Sequence, residues 1–307
     1  MQRPGSNERA HVSTRPARLS VGIVSAGRVG SVLGAALAQA GHRVDAVAAV
    51  SQASRRRAAE LLPQARIRPA DEVARAAELL ILAVPDDDLP ALIAGLASAN
   101  AVRPGTFVVH TSGAHGLTVL EPLTAALPLA LHPVMTFAGG SDDLPRLSGA
   151  CWGVTTPLEL RPAGETLVVE MGGEPVWVDD DARALYHAGL SLAANSVVSL
   201  TAEVVELLQH AGVDSPQRLL APLLGAALDN VLRRGDGALT GPVARGDARV
   251  VAAHVQALTQ ADPDAAAAYV ALSRLTASRA IGSGMLPHDR AEGLLDVLAE
   301  RTPGGSQ

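Results

Sequence analysis

The chain contains no lysine, so all 25 of its Lys-plus-Arg residues are arginines. Without lysine, the protein cannot form a Schiff base through a side-chain amine, and no lysine can act as a general acid. A catalytic proton donor therefore has to be histidine, tyrosine, cysteine, a carboxylic acid or water. Aromatic residues are also scarce, at 2%, whereas 48% of residues are hydrophobic. The core is therefore expected to consist of alanine, valine and leucine.

Several further features are rare or missing. The only cysteine is Cys151, which excludes an intramolecular disulfide and fits a reducing cytoplasm. Residues 1–18 are polar and predict a disordered tail rather than a signal peptide, and residues 300–307 predict a second loose tail. No uninterrupted apolar run reaches the ~20 residues of a membrane-spanning helix. The net charge of -6 argues against general nucleic-acid binding, and no spacing of His, Cys, Asp and Glu indicates a metal site.

The most informative segment is LSVGIVSAGRVGS at positions 19–31, where an apolar run ends in a glycine turn and a helix-like pattern follows. This order is the context of a dinucleotide-binding fingerprint, and an apolar strand at 43–50 completes a βαβ unit. Gly27 lets the backbone approach a pyrophosphate, and Gly30 lets the helix pack close to the strand. Ser25 replaces the first glycine of G-x-G-x-x-G. We expect serine to be tolerated there if the position does not need a positive φ.

The end of the second strand indicates which cofactor binds. An NAD site usually carries Asp or Glu there, but Asp45 comes too early in this strand. The strand is followed by Ser51, Ser54 and an arginine cluster, which suit a 2′-phosphate. Basic residues at a helix start oppose the helix dipole, and a bound anion relieves that conflict. We therefore predict NADP(H); the alternative is a solvated, basic first turn of a helix.

The remaining cofactor contacts are predicted at the carboxyl ends of the next strands, where ligands bind in α/β folds. The polar run 86–88 is most simply a loop and helix cap. The predicted cofactor-binding residues are Ser25, Ala26, Gly27, Arg28, Val29, Gly30, Ser51, Ser54, Arg55, Arg56, Val84, Pro85, Asp86, Thr111, Ser112 and Gly113.

Hydrophobic periodicity divides the chain into two domains. Strands and helices alternate over residues 19–179, which predicts an α/β Rossmann domain. Residues 180–299 show helical periodicity and predict an all-α C-terminal domain. We expect this domain to bind substrate and, because it is low in charge and aromatic residues, to form a homodimer. Its predicted helices cover 182–212, 216–234, 243–260, 262–281 and 289–299.

Three polar residues share one face of the first helix of the second domain. His187, Ser191 and Asn195 lie at i, i+4 and i+8 in Ala- and Leu-rich surroundings, where polar groups need partners. A nicotinamide and a polar substrate at the domain cleft would supply those partners. His187 is the predicted proton donor to a developing alkoxide. The alternative is a partly exposed helix face with ordinary polar residues.

A second polar cluster lies in the run TGPVARGD. Arg245 is predicted to bind a substrate carboxylate through a forked pair of hydrogen bonds, with Thr240 and Asp247 beside it. A helix cap with a surface Arg–Asp pair explains the same spacing equally well. His132 follows a strand end and is placed to reach the nicotinamide, although a turn histidine is the more usual outcome. His110 closes a neighbouring strand and is interpreted as structural.

These motifs occur in the order VGIVSAGRVG, VPD, HTSG, LHPVMTF and LTGPVARGD. Together they resemble a bacterial family that has an N-terminal Rossmann-like domain and a C-terminal helical domain of unknown function. The resemblance covers roughly residues 19–299. It places the chain near the phosphogluconate dehydrogenase-like enzymes, among them ketopantoate, pyrroline carboxylate and β-hydroxyacid enzymes. Some members of the family look like alternative ketopantoate reductases.

The resemblance implies roles for the polar helix face. Ketopantoate reductases carry a Lys and two Asn at i, i+4 and i+8 on the first long C-terminal helix. His187, Ser191 and Asn195 occupy that spacing here, so two of the three residue types differ. By this analogy His187 replaces the lysine as general acid, and Asn195 holds the substrate.

The sequence therefore predicts a cytoplasmic NADPH-dependent reductase of a small 2-oxo acid, with ketopantoate as the leading substrate and pantothenate synthesis as the setting. The predicted catalytic residues are His187, Asn195 and Arg245, and the predicted substrate contacts are Ser191, His132, Thr240 and Asp247. Two alternatives remain open. One is a reductase of a cyclic imine or β-keto acid, and the other is a sensor or scaffold that binds NADP(H) without turning it over.

Overall fold

The computed structural model describes residues 18–299. The predicted tails at 1–18 and 300–307 therefore lie outside the described residues, except for Arg18, which forms an ion pair with Glu170. The chain divides into two compact units. The N-terminal unit ends at Leu192 and the C-terminal unit begins at Ala193.

An eight-stranded sheet forms the centre of the N-terminal unit. Its strands are β1 Ser20–Val24, β2 Arg43–Ala48, β3 Arg66–Ile67, β4 Leu79–Leu82, β5 Phe107–His110, β6 Leu127–Pro133, β7 Cys151–Thr155 and β8 Glu174–Trp177. The order across the sheet is β3-β2-β1-β4-β5-β6-β7-β8. Neighbours from β3 to β6 are parallel, β7 runs antiparallel to β6, and β8 is parallel to β7.

Helices connect these strands. They are α1 Arg28–Gln39, α2 Gln52–Leu61, α3 Ala70–Ala76, α4 Leu89–Ser98, α5 Asp143–Leu147 and α6 Arg161–Glu170. Parallel neighbours need such crossovers, and the order β3-β2-β1-β4-β5-β6 is that of a Rossmann fold. The predicted α/β domain is therefore confirmed.

The central strands have apolar side chains on both faces, as expected for a sheet covered by helices on each side. Successive residues of a strand point to opposite faces. Ile23 and Ile81 accordingly belong to one buried cluster, and Leu80 and Leu82 belong to the other. The two clusters hold the carboxyl ends of β1 and β4 side by side, where a bound nucleotide is expected.

Helices make up the C-terminal unit, as predicted. Helix α7 (Arg183–His210) begins in the N-terminal unit and continues into the C-terminal unit. The other helices are α8 Pro216–Arg234, α9 Gly241–Arg245, α10 Ala248–Ala261, α11 Pro263–Gly282 and α12 His288–Ala299. Residues from α9 to α12 form the buried core of this unit, including Val251, Val270, Ala277 and Leu294.

One predicted helix is wrong. The continuous helix expected over 243–260 is interrupted, because α9 ends at Arg245 and α10 starts at Ala248. Gly246 between them has φ +76°, the left-handed conformation in which helices commonly end. A side chain at Gly246 would also press against the Arg290 carbonyl, at 2.9 Å from its Cβ. The interruption between α9 and α10 therefore requires glycine at position 246.

Helix α7 is unusually apolar for its exposure. Among the described residues, the helical stretch 180–210 is long and apolar enough to cross a membrane by length and composition alone. The run is interrupted by polar residues such as Ser191 and Asn195, and a single helix of this kind is weak evidence for a membrane span. An apolar surface of this kind is also typical of a helix that packs against another protein chain.

Candidate functional site

A cavity of about 720 Å³ lies at the carboxyl ends of β1, β2 and β4. This is the edge of a parallel sheet at which α/β proteins bind ligands. Among the predicted cofactor residues, the cavity is lined by Ser25, Gly27, Ser51, Ser54, Arg55, Val84 and Pro85. A dinucleotide-sized groove therefore coincides with the fingerprint turn.

The fingerprint turn between β1 and α1 is held against β2. The backbone N–H groups of Ser25 and Ala26 both donate to the Ala48 carbonyl, at 3.2 and 3.0 Å. Ser25 has φ +77°, so the condition under which serine was expected to be tolerated is not met. The chain must reverse sharply between strand and helix, and the left-handed conformation achieves this reversal. Serine therefore occupies a conformation that favours glycine.

Gly30 allows the close packing of α1 that was predicted for it, and the role of Gly27 toward a pyrophosphate stays a prediction. A Cβ on Gly30 would overlap the Ser25 carbonyl and lie 3.0 Å from Ala83 Cβ. A Cβ on Gly27 would meet only the Ser25 hydroxyl, at 3.3 Å, so this side of the turn is open. The first N–H groups of α1 have no partner within the helix and favour an anion at that point. The turn therefore fits a pyrophosphate.

The end of β2 is polar and basic. Ser51 caps α2 by accepting a hydrogen bond from the Ser54 N–H at 3.1 Å. Arg55 donates from Nε to the Ala49 carbonyl at 3.3 Å, which holds its guanidinium beside the cavity. A hydroxyl and a forked cation at one site suit a phosphate monoester.

The arginines that line this basic site are not all those that the sequence predicted. Arg57 and Arg68 line the cavity, but Arg56 is exposed and does not. The cavity is thus lined by Arg55 and Arg57 but not by Arg56, which lies between them in α2. Arg68 follows the short strand β3, which the sequence analysis missed. A two-residue strand carries too little periodicity to be recognised.

The remaining predicted cofactor residues do not line this cavity. Ala26 is buried, and Arg28, Val29 and Asp86 lie nearby in the chain, while Thr111, Ser112 and Gly113 follow β5. The Ser112 hydroxyl accepts hydrogen bonds from the N–H groups of Ala114 and His115, at 3.2 and 3.0 Å. The side chain of Ser112 therefore stabilises the turn in which Ser112 lies.

Two histidines meet over Gly113, at the carboxyl end of β5. The rings of His132 and His187 lie 5.7 Å apart at 86°, edge to face. A Cβ on Gly113 would overlap the His187 ring and lie 3.0 Å from His132 Nε2. Glycine therefore permits both imidazoles to approach this strand end. The structure thus brings together His132 and His187, which the sequence predicted separately.

Tyr186 belongs to the same cluster and was missed by the sequence analysis. Its hydroxyl lies 2.9 Å from His132 Nδ1, and the two rings are 5.7 Å apart. Burial raises the pKa of Tyr186. Tyr186 is next to His187 in the sequence. The i, i+4, i+8 spacing of polar residues on this helix predicted a functional face with positions 187, 191 and 195 only. The proximity of Tyr186 to His132 depends on β6, which is distant in the sequence.

Arg183 is buried beneath this cluster. Its guanidinium donates to the Thr155 hydroxyl at 3.0 Å and to the Ser112 carbonyl at 2.5 Å. Burial, followed by the charges of Arg183 and His187, lowers the pKa of His132 to about 4. Burial and Arg183 also lower the pKa of His110 to about 3. His110 has no exposed surface and contacts the Gly116 carbonyl, which agrees with its structural interpretation.

The other polar residues of α7 lie further along the helix. Ser191 is half-buried in the N-terminal unit, and Asn195 is exposed in the C-terminal unit. Both residues interact with other parts of the structure. Their roles toward a substrate remain predictions.

The TGPVARGD cluster lies in the C-terminal unit. Arg245 forms an ion pair with Asp247, with N···O distances of 2.7 and 3.0 Å. The surface Arg–Asp pair that the sequence analysis gave as the alternative interpretation is therefore present in the structure. Pro242 occupies the first turn of α9, and Thr240 precedes the helix without a capping bond from its side chain. Thr240 also lines an apolar cavity of about 450 Å³ within this unit.

Comparison with known proteins agrees with this two-part organisation. Residues 1–133 match the model of the Rossmann-like domain, and residues 150–276 match that of a domain of unknown function, DUF2520. No curated protein matches the chain.

Solved structures show the same fold. A Bacteroides fragilis protein provisionally described as an NADP oxidoreductase, BF3122, is 22% identical, with a TM-score of 0.72 over 85% of this chain and 98% of its own. An imine reductase from Pseudomonas sp. is 22% identical, with a TM-score of 0.62 over 92% of this chain and 100% of its own. Plasmodium falciparum pyrroline carboxylate reductase with NADP bound is 9% identical, with a TM-score of 0.54 over 85% of this chain and 98% of its own. At these identities the likeness concerns the fold.

Proposed function

We propose that this chain, a Rossmann-like domain followed by a DUF2520 domain, is an NADPH-dependent reductase of a small 2-oxo acid, with ketopantoate as the leading substrate. The observation that carries the proposal is the cavity at the ends of β1, β2 and β4, which combines the open Gly27 turn with Ser51, Ser54 and Arg55. BF3122 and the Plasmodium enzyme are described with NADP, which supports the choice of cofactor.

The residues present fit the cofactor in two places. The open side of Gly27 and the start of α1 would receive the pyrophosphate, and Ser51 with Arg55 and Arg57 would bind the 2′-phosphate. When bound there, the cofactor would supply the hydride for reduction of the carbonyl carbon. His187 supplies a proton to the carbonyl oxygen as charge develops there. Asn195 and Arg245 are proposed, from the sequence, to bind the substrate carboxylate.

The direct test is the loss of NADPH absorbance when ketopantoate is added to the purified protein, with NADH measured in parallel. The proposal expects oxidation of NADPH in preference to NADH. An Arg55→Ala variant should remove that preference by weakening NADPH binding alone, whereas Arg75→Ala, at a surface ion pair with Asp71, should not. Binding of NADPH without oxidation would remove ketopantoate as the substrate.

The proposed roles of the side chains need a second experiment. His187→Ala should lower kcat about 100-fold, within the usual range for general acid catalysis. Arg245→Ala should raise the substrate KM. His210→Ala, at the exposed end of the same helix, is the matched control for His187. If His187→Ala and Arg245→Ala both keep full turnover and an unchanged KM, the assignment is wrong.

A cyclic imine is the second candidate substrate, because the imine reductase from Pseudomonas sp. shares this fold over 92% of the chain. A panel containing a cyclic imine, a β-keto acid and ketopantoate separates these activities in one assay. If NADPH binds tightly but no member of the panel oxidises it, a sensing or scaffold role is favoured. The remaining proposals are a cytoplasmic location, consistent with a single cysteine, and a homodimer.

A further inference from the structure

We infer that Tyr186 fixes the tautomer of His132, so that the Nε2–H of this histidine is a permanently oriented hydrogen-bond donor to the substrate oxygen. Tyr186 is then a positioning residue, and His132 is the group that contacts the substrate. The identity of the substrate oxygen rests on the proposed reductase function, but the tautomer does not.

The hydrogen bond of the Tyr186 hydroxyl determines which ring nitrogen of His132 carries the imidazole proton. Among the described residues, the acceptor within hydrogen-bond distance of the Tyr186 hydroxyl is His132 Nδ1. The hydroxyl proton therefore goes to this nitrogen, which lies 2.9 Å from the phenol oxygen. Because burial raises the pKa of Tyr186, the phenol stays protonated at neutral pH. The Nδ1 atom of His132 is consequently an acceptor.

The charge state of His132 follows from its neighbours. Arg183 and His187 face it from α7, Asp86 faces it from the turn after β4, and Tyr186 bonds to it. Burial, followed by Arg183 and His187, outweighs the carboxylate, so the pKa of His132 falls to about 4. At neutral pH the ring carries one proton. Since Nδ1 accepts from Tyr186, that proton is on Nε2.

The donor lies beside Gly113, which follows the carboxyl end of β5. His132 Nε2 lies 3.0 Å from the position that a Cβ on Gly113 would occupy, and the His187 ring already fills that position. A substrate oxygen that accepts from Nε2 would thus meet a fixed N–H donor, with the His187 ring 5.7 Å from the His132 ring beside it. A neutral donor stabilises charge on an oxygen without losing its own proton. The two histidines therefore have separate roles.

The tautomer is tested by nitrogen NMR of the histidine rings. The wild-type protein should show His132 protonated on Nε2 and unprotonated on Nδ1 from pH 8 to pH 5. Tyr186→Phe removes only the hydroxyl and should convert His132 to a mixture of tautomers. Tyr269→Phe is the matched control, because the Tyr269 hydroxyl also lies 2.9 Å from the Nδ1 of a histidine, His254. It should change only the signals of His254.

A double-mutant cycle tests the positioning role. Tyr186→Phe should lower kcat about tenfold, with NADPH affinity unchanged, the size expected for one hydrogen bond that orients a catalytic group. In a His132→Ala background the same substitution should cost nothing further, because Tyr186 acts only through His132. An independent loss in the double variant would overturn the positioning role.

The two proposals fail in different ways. If no carbonyl or imine oxidises NADPH, the reductase proposal fails, while the NMR spectrum still decides the tautomer. If NADPH is oxidised but His132 carries its proton on Nδ1, or if its tautomer is the same in Tyr186→Phe, then the inference about Tyr186 is wrong and the reductase proposal stands.

Discussion

Ser25 shows what a single residue in the fingerprint turn contributes. Its φ of +77° places an L side chain in the left-handed region, where Cβ lies close to the following carbonyl. Glycine avoids this cost, which is why the fingerprint normally begins with it. The hydroxyl of Ser25 faces Gly27 at the start of α1. The serine is therefore held in place by the surrounding turn and not by its own conformational preference.

We expect Ser25→Gly to raise the free energy of unfolding by about 0.5–1 kcal/mol. Relief of the left-handed strain, about 1–2 kcal/mol, is partly offset by the greater entropy of glycine in the unfolded chain. Urea denaturation measures the change. Asn100→Gly is the control, since Asn100 also has a positive φ, of 44°, but asparagine adopts this region readily. A loss of stability in Ser25→Gly would show that the hydroxyl stabilises the turn.

The buried histidine His110 predicts a pH dependence of stability. Its pKa is about 3 in the folded protein and near the ordinary value of 6.5 when unfolded, so unfolding takes up a proton between these values. The stability present above pH 6.5 is therefore lost as the pH falls from 6.5 to about 3, at about 1.4 kcal/mol per pH unit.

His110→Gln isolates this effect from other acid-sensitive groups. The amide of glutamine can still reach the Gly116 carbonyl but does not titrate. The wild type should become less stable relative to the variant by about 1.4 kcal/mol for each unit between pH 6 and pH 4. Urea melts at several pH values measure the difference. Parallel pH profiles for the two proteins would mean that His110 is protonated in the folded state.

At the scale of one element, the two glycines of the β1–α1 turn are expected to have different effects. Gly27 should affect mainly the binding of NADPH, and Gly30 should affect mainly the stability of the fold. Gly27→Ala places a Cβ near only a serine hydroxyl, so it should leave stability within about 0.5 kcal/mol while raising the Kd for NADPH at least about tenfold. Gly30→Ala forces a Cβ into the Ser25 carbonyl and should cost about 1–3 kcal/mol of stability.

Gly95→Ala serves as the control for both glycine substitutions. Gly95 lies within α4, and no atom lies within 4 Å of the place that an alanine methyl would take, so alanine there should be neutral or stabilising. Thermal melts and NADPH titrations on the three variants give the comparison. Equal loss of binding and stability in Gly27→Ala would mean that this glycine serves the fold and not the cofactor.

Local patterns allowed most elements to be predicted, because the apolar runs that form β1 and β4 and the turn glycines are adjacent in sequence. The α9–α10 break was missed, since a helical pattern continues across Gly246 although its backbone does not. Arg68 and Tyr186 were missed for another reason. Each reaches its place through pairing with a strand distant in sequence, β2 for Arg68 and β6 for Tyr186. Local spacing carries no information on such neighbours.

At the scale of the whole molecule, two long helices present apolar side chains to solvent. Within the C-terminal unit, α7 exposes Val197 and Val198, and α8 exposes Leu223, Leu228 and Leu232. The core of this unit is formed by α9 to α12, so these faces have no cover within it among the described residues. Monomeric proteins rarely expose apolar patches of this extent. We propose that a second copy of the chain covers them.

Analytical ultracentrifugation in buffer without detergent should therefore show a dimer at micromolar concentration. Leu228→Glu introduces a charge on α8, and a two-fold interface would carry it twice. This variant should raise the dimer dissociation constant at least about 100-fold and increase the monomer fraction. Leu295→Glu is the control, because Leu295 is an exposed leucine on α12, 43% accessible, outside the apolar faces of α7 and α8. A monomeric wild type, or a protein recovered only with membranes, would contradict the dimer, and the second result would instead favour membrane insertion of α7.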